Sequence, residues 1–326
     1  MSDLIITRTP YRISLGGGGT DLPFYSNLKE GFLITAAINQ YCTVSISERS
    51  LDDIILTQTT VTQFSDSIDE VENAIIRECL RYFGLLNSIQ VSTYTTLPSG
   101  IGLGTSSTLT VGLINAILGL LHKKLSKVEI ARLAYKIERE IIGLKGGIQD
   151  QYIAALGGIQ ILRVSTSGDV QSEELIIDSN NRKKLEENLV LVYTKQERES
   201  HKIISSQEVN KEKSINVYDQ IKVIGKNSVD LLVHADIERL GQLMDQHWLI
   251  KRSLSNEIST SIFDKLYMNF KSLGSPGGKI IGAGGGGFFM MAVPKNVKKF
   301  KMEINKMGYR TLDWCFDQKG TYHLSV

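Results

Sequence analysis

The sequence predicts an α+β protein made of two packed units. Three observations predict it. Strand-like and helix-like stretches alternate in both halves. The chain opens with a run of strands, which disfavours a doubly wound sheet. Its 326 residues also exceed what one core usually serves. The boundary falls between residues 160 and 190, giving units of residues 1–175 and 176–326.

The first sixty residues are β-rich at Leu4–Thr7, Phe32–Ile38, Cys42–Ser47 and Ile54–Thr57, with Gly16–Gly19 interrupting them. A helix over 68–82 follows, stopped by Gly84. Ile89–Thr95 reads as a strand ending at Pro98. The stretch from Ser107 to His122 is apolar almost all round and predicts a buried helix. Ser126-Lys127-Val128-Glu129 is a capping box, and Ile130, Leu133, Ala134, Ile137 and Ile141 form an apolar stripe behind it. Gly143 ends that helix. Gly146–Gly147 opens a short helix through Asp150 and Tyr152, and strands follow at Gly158–Val164 and Leu189–Val192. The second half reads as helices near 200–210, 216–234, 237–254 and 258–273. It continues with a strand over 279–281, four glycines (Gly284–Gly287), a strand over 288–293, a helix over 295–307, and strands over 311–316 and 321–326.

Composition narrows the function. Hydrophobic residues make up 42% and charged residues 22%, with a net charge of +2, so the basic footprint of a nucleic-acid binder is absent. The lysines between Lys295 and Lys306 read as a solvated helix face. Cys42, Cys79 and Cys315 are too few and too scattered for a disulfide framework or a structural zinc site, which fits a reducing compartment. The longest apolar stretch, Leu109–Leu121, is too short to span a bilayer, and the N-terminus carries no secretory signal. A cytoplasmic protein with neither nucleic-acid nor membrane partner is expected. Its oligomeric state is left open.

Chemistry concentrates in glycine loops. Pro98-Ser99-Gly100-Ile101-Gly102-Leu103-Gly104-Thr105-Ser106-Ser107 joins a strand to a helix. Glycines let backbone N–H groups turn toward a polyphosphate, and a helix N-terminus favours an anion. A hydroxyl there can also ligate Mg2+ between phosphates. The other reading is a tight turn with a serine cap. The loop has no Walker lysine and no G-x-G-x-x-G spacing. Gly282–Gly287 matches G-x-G-x-x-G literally, but a strand rather than a helix follows it, so a dinucleotide site is rejected.

Three segments together resemble a known superfamily. Pro10-Tyr11-Arg12-Ile13-Ser14-Leu15-Gly16-Gly17-Gly18-Gly19-Thr20-Asp21, the loop from Pro98 to Ser107, and Gly277 to Gly287 resemble, in order and spacing, the three motifs of the GHMP kinases. Gly146-Gly147-Ile148-Gln149-Asp150-Gln151-Tyr152 and Thr7-Arg8-Thr9-Pro10-Tyr11-Arg12 are most similar to the bacterial D-glycero-D-manno-heptose 7-phosphate kinases. The resemblance implies a ribosomal-protein-like α/β domain followed by a ferredoxin-like domain. It also implies ATP with Mg2+, and a sugar or sugar phosphate as acceptor, phosphorylated at the anomeric hydroxyl. A kinase for a free sugar such as fucose or galactose, and a silent sugar or nucleotide sensor on the same scaffold, are the alternatives.

The same resemblance implies roles by position. Asp150 falls where the family has its catalytic base; its local context alone favours a helix N-cap. Arg12 matches the arginine beside that aspartate in the galactokinase branch, as a counter-charge and a steadying group for the incoming oxygen. Pro98, Gly100, Gly102, Gly104, Thr105, Ser106 and Ser107 would cradle the nucleotide. Ser107 and Glu138 would ligate Mg2+. Periodicity places Glu138 and Glu140 on either side of the apolar stripe with Arg139 pointing away, and only the resemblance chooses Glu138. Asp21, with Gly18 and Thr20, would meet sugar hydroxyls; an Asx turn is the other reading of Thr20-Asp21. A phosphorylated sugar needs a second anion site, for which Arg198, His201 and Lys202 form one candidate and His247, Lys251 and Arg252 another. Lys251 is preferred by resemblance. Gly282–Gly287 would pack beneath the phosphate loop.

Overall fold

A computed structural model describes residues 4–50, 53–98, 100–196, 200–207 and 211–325. The first sheet is organised around two long strands, β1 (Ile5–Gly16) and β2 (Gly31–Glu48), joined across the short helix α1 (Pro23–Ser26). The two predicted stretches at 32–38 and 42–47 are therefore one continuous strand. Both pair antiparallel along almost their full length, with register shifts at Pro10/Tyr11, where Asn39 and Gln40 of β2 are skipped, and at Ser14/Gly16, where Leu15 of β1 is skipped. Thr9–Gly16 are buried on both faces of the strand, because helices cover the sheet above and below.

The short strands β3 (Ile55–Gln58) and β4 (Thr62–Ser65) lie at one margin, and α2 (Ala74–Phe83) follows. Asn73 caps α2, and Gly84 ends it at φ 75°. The predicted helix start at Ile68 is instead a single 3-10 turn, Ile68–Glu70. β5 (Ile89–Thr95) pairs with β2 and delivers the chain to the phosphate loop. α3 (Thr105–Leu120) is buried nearly throughout and packs across β1 and β2. α4 (Lys127–Tyr135) starts on its capping box as expected. It then widens into a π-helical turn, Lys136–Ile141, which the 3.6-residue stripe did not announce. Ile137 stays buried but Ile141 is 44% exposed, so the stripe breaks where the helix widens. α5 (Gln149–Leu156) and β6 (Ile159–Val164) follow, β6 pairing with the first half of β2, and β7 (Val170–Glu174) pairs with β6 at the edge.

After α6 (Ser179–Asn188) the chain builds a second sheet. β8 (Leu189–Tyr193) leads into α7 (Ser200–Gln207), α8 (Lys211–Val233), α9 (Ile237–Lys251) and α10 (Ser261–Ser272). Next come β9 (Gly277–Ile280), β10 (Phe288–Ala292), α11 (Val297–Lys306) and β11 (Arg310–Leu312). The sheet order is β11-β8-β10-β9, all antiparallel. That is the strand order of a ferredoxin-like split βαβ unit, as expected. Its core gathers Phe263, Tyr267 and Phe270 of α10, with Trp248, around Phe289. On α11, Phe300 and Ile304 are buried while its lysines face outward, the solvated face read from the sequence. The tail then returns to the first sheet: β12 (Tyr322–His323) pairs with β1, and Thr321 Oγ1 meets Thr9 Oγ1 at 2.8 Å.

Among the described residues no helix is long and apolar enough to cross a membrane. Cys42, Cys79 and Cys315 are unpaired.

Candidate active site

The functional residues converge on one cleft of ≈ 360 Å³ between the two sheets. The glycine turn after β1, the loop before α3, the start of α5, α9 and the third glycine run all contribute to its wall.

Asp150 sits in the first turn of α5, whose N-cap is Ile148, so the capping reading of this aspartate does not apply. Its carboxylate takes two hydrogen bonds from Arg12, Nε to Oδ1 at 2.7 Å and the second from Nη2 to Oδ2 at 2.8 Å. This bidentate fork fixes the carboxylate in orientation as well as charge. Arg12 also donates from Nη1 to the carbonyl of Gly102. One guanidinium thus ties the aspartate to the phosphate loop. Gly104, at φ 79°, lies so close that a Cβ there would come within 3.2 Å of Asp150 Oδ2. Residues 138 positions apart meet because β1 runs under the loop, with the Arg12 backbone N–H donating to the Leu103 carbonyl.

Gly100, Gly102, Gly104, Thr105, Ser106 and Ser107 line the cleft at the N-terminus of α3. Pro98 does not: it is exposed in the stretch between the end of β5 at Thr95 and the loop, and is absent from the cleft lining. Ser99 lies outside the described residues. The third glycine run presses on this loop as expected, since a Cβ on Gly287 would fall 2.1 Å from the Ile101 carbonyl oxygen.

Behind the loop, Ser107 Oγ donates to Glu138 Oε2 at 2.7 Å. Gln151 Nε2 donates to both Ser107 Oγ and Glu138 Oε2. Glu138 is fully buried and burial raises its carboxyl above the usual range, while Glu140 is exposed, which separates the two acids that periodicity left level. Glu138 Oε1 and Gln151 Oε1 are buried without hydrogen-bond partners. The Ser107 hydroxyl, the Glu138 carboxylate with its spare Oε1, and the spare Gln151 Oε1 are a donor set that fits Mg2+. No cluster of three or more His, Cys, Asp or Glu exists among the described residues, so any such ion would rely on phosphate oxygens and water for its remaining ligands.

Asp21 is buried in the cleft wall, and its Oδ2 accepts the backbone N–H of Gln149 at 3.0 Å. That oxygen is therefore a long-range anchor for the start of α5 rather than part of a local Asx turn. Burial, with Asp150 nearby, raises its carboxyl above the usual range. Gly147 has no side chain because a Cβ would lie 2.0 Å from Asp21 Oδ2. Gly18 lines the cleft. Thr20 corrects the expectation of a sugar contact. It is fully buried, shares its one hydroxyl proton between the carbonyls of Gly17 and Phe32, and accepts from the Phe32 N–H, so its hydroxyl holds the turn.

Of the two basic candidates, Arg198 and the side chain of His201 lie outside the described residues, and Lys202 is exposed. In the other cluster His247 and Lys251 line the cleft, with Lys251 Nζ donating to the Gly282 carbonyl at 2.8 Å. Arg252 turns away to Asp264. The structure adds residues the sequence reading missed. Arg139 lines the cleft and donates to the Gly147 carbonyl instead of pointing away. Lys279 reaches the cleft from β9, and Gln151 holds Glu138. The signal for Lys279 was a lone lysine inside a glycine-flanked apolar strand. Among the described residues the cleft lining carries Arg12, Arg139, Lys145, Lys251 and Lys279 against Asp21 and Asp150, a cationic lining in a near-neutral chain.

The chain belongs to the GHMP kinase family: residues 71–158 match the GHMP kinases N terminal domain, and full-length relatives extend the match. It is 31% identical over 97% of both chains to the D-glycero-alpha-D-manno-heptose 7-phosphate kinase of Campylobacter jejuni. It is 27% identical to the mevalonate kinase of Methanocaldococcus jannaschii, over 85% of this chain and 90% of that one. Among solved structures, a D-glycero-D-manno-heptose 1-phosphate kinase from Bacteroides thetaiotaomicron superposes with a TM-score of 0.82 at 25% identity, covering 99% of both chains.

Proposed function

We propose that the chain transfers the γ-phosphoryl group of ATP to the anomeric hydroxyl of D-glycero-D-manno-heptose 7-phosphate, giving the 1,7-bisphosphate. The observation that carries this reading is the Arg12–Asp150 fork lying against Gly104 at the mouth of the α3 N-terminus. A nucleotide laid along Gly100–Ser107 would present its terminal phosphorus to a hydroxyl beside Asp150. The acceptor oxygen forms the new P–O bond, the bond to the β-phosphate oxygen breaks and releases ADP, and Asp150 takes the hydroxyl proton. Arg12 holds the carboxylate and partners the charge that develops nearby. Asp21 and Gly18 would meet the sugar, and Lys251 its phosphate. Ser107 and Glu138 would hold Mg2+, which supplies charge neutralisation of the phosphates.

Residues 1–175 would serve as the nucleotide-binding and catalytic unit and 176–326 as the second unit, the returning tail excepted. Three unpaired cysteines suit the cytoplasm. Intact positions at Asp150, Glu138 and Ser107 argue against a silent sensor.

A panel of sugars and sugar phosphates, scored by ADP release and by phosphorus NMR of the product, tests the substrate. The heptose 7-phosphate should give the highest kcat/KM. Preference for free fucose or galactose would remove the assignment while leaving the kinase.

A further inference from the structure

We propose that Lys279, flanked by Lys251 and His247, forms a phosphate-recognition site in the cleft wall that takes the phosphomonoester of the acceptor. The proposal rests on the reading that the acceptor is a sugar phosphate.

Lys279 lies on β9 and is 2% exposed, yet it lines the cleft. Among the described residues its ammonium has neither a hydrogen-bond acceptor nor a carboxylate partner. A buried charge without a partner is costly, and among the described residues the charges that act on it, those of Lys251 and Arg12, are of the same sign. Burial and those two neighbours pull the Lys279 ammonium down to about 7. The group this wall lacks is an anion. Lys251 stands one helical turn beyond His247 on α9, which packs against β9, so the three side chains share one face of the cleft. Lys251 is held in place by the Gly282 carbonyl. His247 is buried, and burial with the two lysines pushes its pKa well below the usual value. At neutral pH it is an uncharged ring that can donate one hydrogen bond. A bound anion would hold both lysines charged, and two ammonium groups with a neutral donor match a phosphate dianion better than a monovalent carboxylate.

Phosphate oxygens reach this cleft from two sources, the nucleotide and the acceptor. The nucleotide's phosphates are provided for by the loop and helix N-terminus of α3. Lys279 belongs to the second sheet and shares its wall of the cleft with His247 and Lys251 of α9, none of which lies in that loop or helix. That position favours the acceptor.

The experiment is steady-state kinetics on the full chain with Lys279→Met, and with Lys279→Gln as a second variant should the first not fold. Each is assayed with the phosphorylated sugar, its unphosphorylated counterpart and varied ATP. The expected result is a rise of about 30-fold in KM for the phosphorylated sugar, a loss typical of a charge-assisted hydrogen bond. Preference for phosphorylated over unphosphorylated sugar should fall by a similar factor, with KM for ATP changing much less. A rise confined to KM for ATP, or an equal loss on both sugars, overturns the proposal. In the wild-type enzyme at saturating ATP, inorganic phosphate should compete with the sugar phosphate; inhibition that is not competitive also overturns it. If the wild type uses only unphosphorylated sugars, the functional reading fails first and takes this one with it. If it uses the sugar phosphate and both variants match it, only the site assignment is lost.

Discussion

At the scale of single residues, charge placement decides what the cleft can do. Asp150 is held by two hydrogen bonds from Arg12, and Glu138 by Ser107 and Gln151, so both carboxylates are fixed before any substrate arrives. Lys279 is the opposite case, a buried cation facing like charges. Its folded pKa, about 7, is below its ordinary 10.5. Between those values the unfolded chain binds more protons than the folded one, so this residue makes stability rise with pH across that window. Thermal or urea unfolding of wild type and Lys279→Met at several pH values reads the difference. The variant's advantage should be full and flat below pH 7 and shrink by about 2 kcal/mol between pH 7 and pH 9, with His247, Lys251 and Arg12 unchanged in both proteins. A pH-independent difference contradicts the buried, partnerless ammonium.

Elements position those residues by close backbone approach, and here the sequence was legible in parts. The capping box, the Gly84 stop and the buried α3 all stand where propensity and periodicity put them. The π-turn at Lys136–Ile141 was not legible, because a stripe of period 3.6 has no term for a wider turn. It is nevertheless the element that carries Glu138 inward and Ile141 outward. Strand ends also slipped: β2 runs on through the Asn39–Tyr41 stretch that composition broke in two, but it bulges there, with Asn39 and Gln40 skipped in its pairing with β1. The contact of Gly287 with the phosphate loop gives an element-scale prediction. At φ 87°, with a backbone oxygen 2.1 Å from where a Cβ would lie, Gly287→Ala must push the Ile101 turn. The variant should lose about 1–3 kcal/mol in denaturant unfolding and bind ATP more weakly. Unchanged stability and affinity would mean that the third glycine run does not support the loop.

Over the whole molecule, two sheets meet so that each supplies what the other lacks. The first brings the phosphate loop, Arg12, Asp21 and Asp150; the second brings His247, Lys251 and Lys279. Sequence motifs located the first set because glycine runs mark backbone approach wherever they fall. The second set was only partly visible. Lys251 was found within a local cluster, whereas Lys279 and Arg139 acquire their meaning from a fold that no local pattern contains. Thr20 and Pro98 adjoin cleft residues in the chain, but Thr20 turns its hydroxyl to backbone carbonyls and neither is part of the cleft lining.

The central claim is that Asp150 accepts the acceptor's proton beside a nucleotide seated on Gly100–Ser107. Single-turnover kinetics of Asp150→Asn, with ATP binding measured in parallel, test it most directly. The account predicts a fall in the phosphoryl-transfer rate of about 10²–10⁴-fold with nucleotide affinity retained. A rate near that of the wild type would contradict it.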